Sequence, residues 1–334
     1  MYKIDLFDIN SHKIKDFIEV AKYLYSNDTY YTGFNKLPAR DYNTKVFIMK
    51  RDNIPVARAC AIINPDISYN NLKTGLIGFY ESEDNLETAR KLFEEIIEYF
   101  KKEGIKYLIG PLNGSTWHSY RLTVASNNKP FFLDNYNKPW YTKQFFNNEF
   151  KVIARYHSSL INSLNVSLDR LKNFELLMNE KGVIIRSMDL NNFKDDLKKV
   201  YEVSVESFIN NFLYTPVSFD EFYNMYKEIK TFMDPEFSLI AESKEGKPYG
   251  FIFALENLFE KNKKSLVIKT VAVVPDKKIK GLGTYLVERI HHTALKNNYS
   301  EVFHTLMHEK NSSRNILKNI SHPYHLYLLF GRNI

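Results

Sequence analysis

The chain has 334 residues, 44% of them apolar and 15% aromatic, with 46 basic against 39 acidic side chains and a net charge of +7. A single core rarely extends beyond roughly 250–300 residues, so two domains are expected. The lone Cys60 excludes an internal disulfide framework and points to a cytoplasmic, reducing setting. No apolar run approaches the roughly 20 residues of a membrane span, and no recognition motif accompanies the scattered lysines, so neither a membrane nor a nucleic acid is an expected partner.

The first half opens with an alternating strand from Tyr2 to Phe7, which carries acids too early for a leader, and a helix over KIKDFIEVAKYLY. Two strands follow, TKVFIMKRDN and PVARACAII, joined by a turn at Asp52-Asn53. After the strand TGLIGFYES comes the most strongly patterned helix, LETARKLFEEIIEYFKKEG. Its Ala89, Leu92, Phe93, Ile96 and Phe100 form one apolar stripe, and Gly104 stands where a C-terminal cap belongs. IKYLIGPLN is a further strand.

The second half repeats the order. GVIIRSMDL is a strand, FKDDLKKVYEVSVESF and SFDEFYNMYKEI are helices, and FSLIAES with PYGFIFALEN makes a hairpin across KEGK. SLVIKTVAVV is a strand, a helix runs from about Gly281 to Asn297, SEVFHTLMHE is a strand, SSRNILKNI a short helix and PYHLYLLF a closing strand. A shared order of strand, helix, hairpin, strand, long helix and strand is what a duplicated unit of roughly 150 residues leaves behind. The boundary is placed in INSLNVSLDRLKNFELLMNEKG, giving domains at 1–165 and 181–334 with a linking helix at 166–180.

The strand SLVIKTVAVV passes into the helix that starts near Gly281 through VAVVPDKKIKGLGTYLVERI, Val271 to Ile290. Gly281 and Gly283 let backbone approach a ligand closely, and a helix starting there points unpaired amides and the positive end of its dipole outward. Such an end accepts phosphate, and Lys277, Lys278 and Lys280 add cationic charge. The spacing is neither a dinucleotide fingerprint nor a nucleotide P-loop. The first half has ESEDNLE at the same joint, where Glu81, Glu83 and Asp84 would repel phosphate.

The K-x-x-G-x-G spacing after VAVVPD, with the element order from Gly182 to Phe330, resembles the GNAT acetyltransferase superfamily. Its acyl-CoA loop reads Gln/Arg-x-x-Gly-x-Gly/Ala after a strand ending V-x-P. Lys278, Gly281 and Gly283 fall on that pattern, with Lys278 where Arg or Gln is usual and Ile279 in place of a frequent glycine. The segment from GPLNGSTWHSYRL to NNEF is also similar to the first half of uncharacterised tandem-GNAT bacterial proteins.

The resemblance implies an α/β fold of two tandem GNAT-like domains, each a mostly antiparallel twisted sheet flanked by helices, of which only the second binds acetyl-CoA or another acyl-CoA. Contacts to it would come from the backbone of Val271, Ala272 and Val273, from Lys278, Ile279, Lys280, Gly281, Leu282, Gly283 and Thr284, and from Asn311, Ser313 and Arg314 on the short helix. The implied reaction moves an acyl group to a small-molecule or peptide amine, which must lose a proton first. Candidate bases are Glu256, His304, His308 and Glu309. The tyrosine that usually follows the Asn is replaced near Lys318, leaving Tyr324 or Tyr327 as candidate acids. His304 and His308 are about 13 Å apart along a strand, too far to share one metal ion, and no metal is expected. Trp117, Phe212 and Tyr214 are candidates to line the acceptor pocket. Two other readings stay open: a non-catalytic acyl-CoA-binding module, and a transferase that uses aminoacyl-tRNA.

Overall fold

A computed structural model describes residues 1–31, 33, 37, 42–310 and 320–334. The first half comprises β1 (Tyr2–Asp8), α1 (Ile14–Tyr25), β2 (Asn43–Arg51), β3 (Ile54–Ile63), β4 (Ser68–Tyr69), β5 (Leu72–Ser82), α2 (Leu86–Lys102), β6 (Tyr107–Gly110), β7 (Leu122–Thr123), α3 (Tyr141–Asn147) and β8 (Lys151–Ile161). Helix α4 (Leu168–Glu180) leads into β9 (Val183–Ser187), α5 (Phe193–Phe208), α6 (Phe219–Tyr226), β10 (Ser238–Ser243), β11 (Pro248–Glu256), β12 (Ser265–Val273), α7 (Leu282–Lys296), β13 (Glu301–His308) and β14 (His322–Asn333).

Local chemistry accounts for these boundaries. The β2–β3 turn uses Asp52 and Asn53 at φ 51° and 69°, the doubly left-handed geometry that matches the twist of a two-residue hairpin. The α2 stripe of Ala89, Leu92, Phe93, Ile96 and Phe100 is buried in full, and Gly104 closes the helix at φ 71°. By contrast α4 buries only Met178 and lies against α7 and β9 of the second half. No helix among the described residues is long and apolar enough to cross a membrane.

All the main strands join one sheet in the order β1-β2-β3-β5-β6-β14-β8-β13-β12-β11-β10-β9. Among the described residues only β5–β6 and β12–β13 are parallel. The two halves have exchanged their closing strands: β14 pairs with β6 of the first half, and β8 pairs with β13 of the second. These strands also pair with each other, with Tyr156 opposite Tyr327. One core lies under α5, α6 and α7, another under α2 and α3. A small cluster of Phe131, Leu255, Val267 and Phe303 fastens a first-half loop onto the second-half strands.

Candidate active site

The parallel pairing of β12 and β13 runs from Ser265 opposite Glu301 to Ile268 opposite His304 and stops there. Beyond it, among the described residues, Thr270–Val273 of β12 pair only with β11, while β13 stays paired with β8 on both sides of an irregularity between His304 and Met307. Leu306 takes φ 60° at this irregularity, and its N–H donates to Ser158 Oγ at 3.2 Å. The Thr305 hydroxyl donates to the Ile268 carbonyl at 3.1 Å and sits at the fork. The strands therefore form a V whose β12 arm presents a backbone edge.

The glycine loop follows that arm. Asp276 accepts from the Lys278 N–H at 2.8 Å, shaping a short 3-10 turn over Lys277–Ile279. Ile279 and Leu282 are buried and pin the loop, whereas Lys277, Lys278 and Lys280 are exposed. Gly281 caps α7 at φ 98°, a conformation that side-chain-bearing residues rarely adopt. The first helical bond is from Tyr285 N–H to Gly281 C=O, so the amides of Leu282, Gly283 and Thr284 have no partner within the helix, and no side chain among the described residues caps them. An open backbone edge leading to an uncapped helix start suits a thioester-bearing chain ending in a pyrophosphate. The residues present fit an acyl-CoA.

Gly281, Gly283, Thr284 and the Val271–Val273 edge open into a cleft of 2270 Å³, well above the roughly 300–1,000 Å³ of a single-ligand pocket. Its far wall belongs to the first half, from Asn113 and Thr116–Arg121 and from Leu133–Asn135. Trp117, Phe212 and Tyr214 all line it. Trp117 ties the halves together by donating from Nε1 to the Thr215 carbonyl at 2.9 Å. The cleft thus has room for a second ligand facing the first.

Three sequence-derived candidates for the chemistry stand apart from the cleft. Glu256 is exposed opposite Leu266, at the end of β11 away from the loop. His304 is buried, with Nε2 2.9 Å from Nε2 of His291 on α7. Tyr324 donates its hydroxyl to the Lys129 carbonyl at 2.8 Å and packs against Phe303 and His325. For His304 the Leu306 irregularity is the reason: it turns the two ends of β13 to different surroundings. Tyr327 is also buried, donating to Asp134 Oδ1 at 2.6 Å. Asn311, Ser313, Arg314 and Lys318 lie outside the described residues.

His308 and Glu309 do line the cleft. Burial lowers the His308 pKa, as do Lys310 and Arg121, against the raising effect of Glu309. Its Nδ1 accepts from the Lys310 N–H at 3.1 Å. Sequence reasoning missed Arg121, an 8%-exposed guanidinium on the cleft wall. Its only signal was its place in the quoted GPLNGSTWHSYRL stretch.

The equivalent joint in the first half is closed. Asn85 Oδ1 accepts from the N–H groups of Glu87 and Thr88 at 2.9 and 3.2 Å, so α2 satisfies its own first turn. Glu81 is buried and accepts from the hydroxyls of Tyr25, Tyr31 and Tyr141. The gap between β5 and β6 is filled as well: Phe79 N–H donates to Asn113 Oδ1 at 2.7 Å, and Leu112 N–H to the Ile77 carbonyl at 2.9 Å. Neither an anion nor an extended chain has a place there.

No protein-family profile matches the chain, and no curated protein matches it by sequence. Solved structures do. A GCN5-related glucosamine N-acetyltransferase region of a fungal multi-domain β-N-acetylglucosaminidase superposes with TM-score 0.58 at 11% identity, over 99% of this chain and 38% of that one. A tandem GNAT protein from the clavulanic acid biosynthesis pathway gives 0.56 at 9% identity, over 100% and 98% of the two chains. A GCN5-related N-acetyltransferase from Sphaerobacter thermophilus gives 0.52 at 11%, over 99% and 95%. At these identities the likeness is one of architecture, and the architecture of this chain is the tandem GNAT fold.

Proposed function

We propose that the protein is an acyl-CoA-dependent N-acyltransferase, with acetyl-CoA as the donor, in which the second half holds the donor and the cleft between the halves receives an amine. The observation that carries this reading is the continuity of one cleft from the uncapped start of α7, along the free edge of β12, to the wall supplied by the first half. A bound acyl-CoA would bring an activated thioester into that cleft. The backbone of Val271, Ala272 and Val273 would orient its chain, and the loop from Lys278 to Thr284, with Lys277 nearby, would hold its phosphates.

An amine reaches the site mostly as an ammonium and must be deprotonated. We assign that step to His308, which lines the cleft and, with its pKa lowered, is neutral at pH 7. Taking a proton on Nδ1 requires release of the Lys310 N–H. General-base removal typically costs about 100-fold or more, so His308→Gln is expected to lose at least that in kcat. A loss under tenfold would remove the assignment.

The reading is tested by calorimetric titration of acetyl-CoA into wild type and Gly281→Asp. One site per chain is expected for wild type. Strong weakening is expected in the variant, which strains φ 98° and sets a carboxylate where phosphate would bind. No binding by folded wild type would refute the acyl-CoA reading. Binding without turnover over a broad amine panel would favour a non-catalytic acyl-CoA module, for which the displacement of His304 and Tyr324 from the cleft is the supporting observation.

A further inference from the structure

Arg121 follows Tyr120 at the base of the cleft, in the left-handed region at φ 68°, with its N–H donating to the Pro111 carbonyl at 2.9 Å. Its guanidinium carbon lies 4.1 Å from the ring centre of Tyr120, 4.3 Å from that of Tyr156 and 5.8 Å from that of Tyr327. The side chain is more than nine-tenths buried, and among the described residues Nε and Nη1 have no hydrogen-bond partner. No carboxylate among those residues forms an ion pair with it. Asp134, on the same wall, is already committed: Oδ2 to His325 Nδ1 at 2.9 Å and Oδ1 to the Tyr327 hydroxyl at 2.6 Å.

A guanidinium cannot shed its charge, and aromatic faces offset only part of the cost of burying it. A cation that lines a ligand-sized cleft from an aromatic cage, with no carboxylate partner among the described residues, is half of a binding site. We propose that Arg121 binds an oxyanion carried by the acceptor, so that the substrate is an amine that also bears a carboxylate or phosphate group. This deepens the acyltransferase reading and rests on it for the identity of the acceptor, though the anion site itself rests only on the geometry around Arg121.

The sheet register also sets the scale of the ligand. Tyr327, Tyr156 and His308 lie side by side on β14, β8 and β13. At about 4.8 Å between neighbouring strands, the Arg121 cage on β8 and β14 is about one and a half to two and a half spacings, roughly 7–12 Å, from the V between β13 and β12. An acceptor whose amine and anionic group are several bonds apart spans that distance. The Tyr156 ring meets His308 at 4.9 Å between centres, so the anion site and the proposed base share a wall.

The test is calorimetric binding of 5-aminopentanoate, its neutral amide 5-aminopentanamide and O-phosphoethanolamine, at matched ionic strength, to wild type, Arg121→Gln and Arg121→Lys. The expected result is that an anionic probe binds wild type at least tenfold more tightly than the amide. That preference should vanish in Arg121→Gln and survive in part in Arg121→Lys. The probe that shows the Arg121-dependent preference identifies the group as carboxylate or phosphate. Equal binding of all three by folded wild type, or a preference untouched in Arg121→Gln, overturns the proposal. Should Arg121→Gln fail to fold, the wild-type comparison of acid with amide decides it. Acetyl-CoA is titrated alongside: an intact anion preference without acetyl-CoA binding would sink the donor reading while leaving the anion site standing, and the converse would sink only the anion site.

Discussion

His291 and His304 meet in the interior between α7 and β13, Nε2 to Nε2 at 2.9 Å, so one imidazole donates and the other accepts. Two neutral rings can share that bond, whereas a charged one would be stranded in the core. Burial accordingly lowers His291 to about 4 and His304 well below the usual histidine value, with the His291 ring adding to the second effect. In the unfolded chain both titrate near 6.5. Between these values the unfolded state binds more protons than the native one, so stability is full above pH 6.5 and drains away as pH falls toward 4. For His291 alone the loss is on the order of 3 kcal/mol. Urea unfolding at pH 7 and pH 4 should show this drop in wild type, and a His291→Leu/His304→Leu variant should lose less over the same interval. Parallel losses in the two proteins would contradict the account. The same pair shows why residue-level inference from sequence was limited. Alternation along a strand puts His304 and His308 on one face, but the positive φ of Leu306 breaks the alternation, and no side chain in SEVFHTLMHE announces it.

At the scale of elements, much was legible because the signals are local. The stripe of α2, the left-handed turn at Asp52-Asn53 and the glycine-started α7 all depend on residues within a few positions of one another. So does the contrast between the two strand-to-helix joints: an uncapped glycine start in one half, Asn85 and buried Glu81 in the other. The acids of ESEDNLE were read as a repulsive patch, whereas Glu81 in fact anchors three tyrosine hydroxyls and fills the space. Strand β8 went unrecognised, although VIARYHSSLI has strand-like residues, because the segments before it, rich in Asn, Pro and aromatics, carry no period. With β8 went the two aromatic-lined features that depend on it, the Tyr156 side of the Arg121 cage and the wall beside His308. Contacts of this kind are made by residues far apart in sequence, and periodicity has no access to them.

At the scale of the whole molecule, the exchanged closing strands make the cleft a joint product of both halves. Strand β8 supplies Tyr156 beside His308, β14 supplies Tyr327 to the Arg121 cage, and each also completes the other half's sheet. A half produced alone would lack its partner's strand and expose a sheet edge, unless its own closing strand folded back into the vacant place, as in the reverse of a domain swap. The present arrangement adds the β8–β14 ladder, from His322 opposite Leu160 to Gly331 opposite Lys151, which neither half can form by itself. Chains cut between β8 and α4, as residues 1–165 and 166–334, are therefore expected to aggregate or unfold without cooperativity when made separately, and to co-purify one to one when made together. The intact chain is expected to unfold in a single urea transition, seen alike by tryptophan fluorescence and circular dichroism. If either piece were a stable monomer with a sharp transition of its own, the exchanged strands would be an adornment to two self-sufficient domains. Loss of both pieces in isolation and recovery on co-expression would instead mean that the strands that complete the fold are the same ones that build the cleft, so a change at the β8–β14 seam should disturb stability and acceptor binding together.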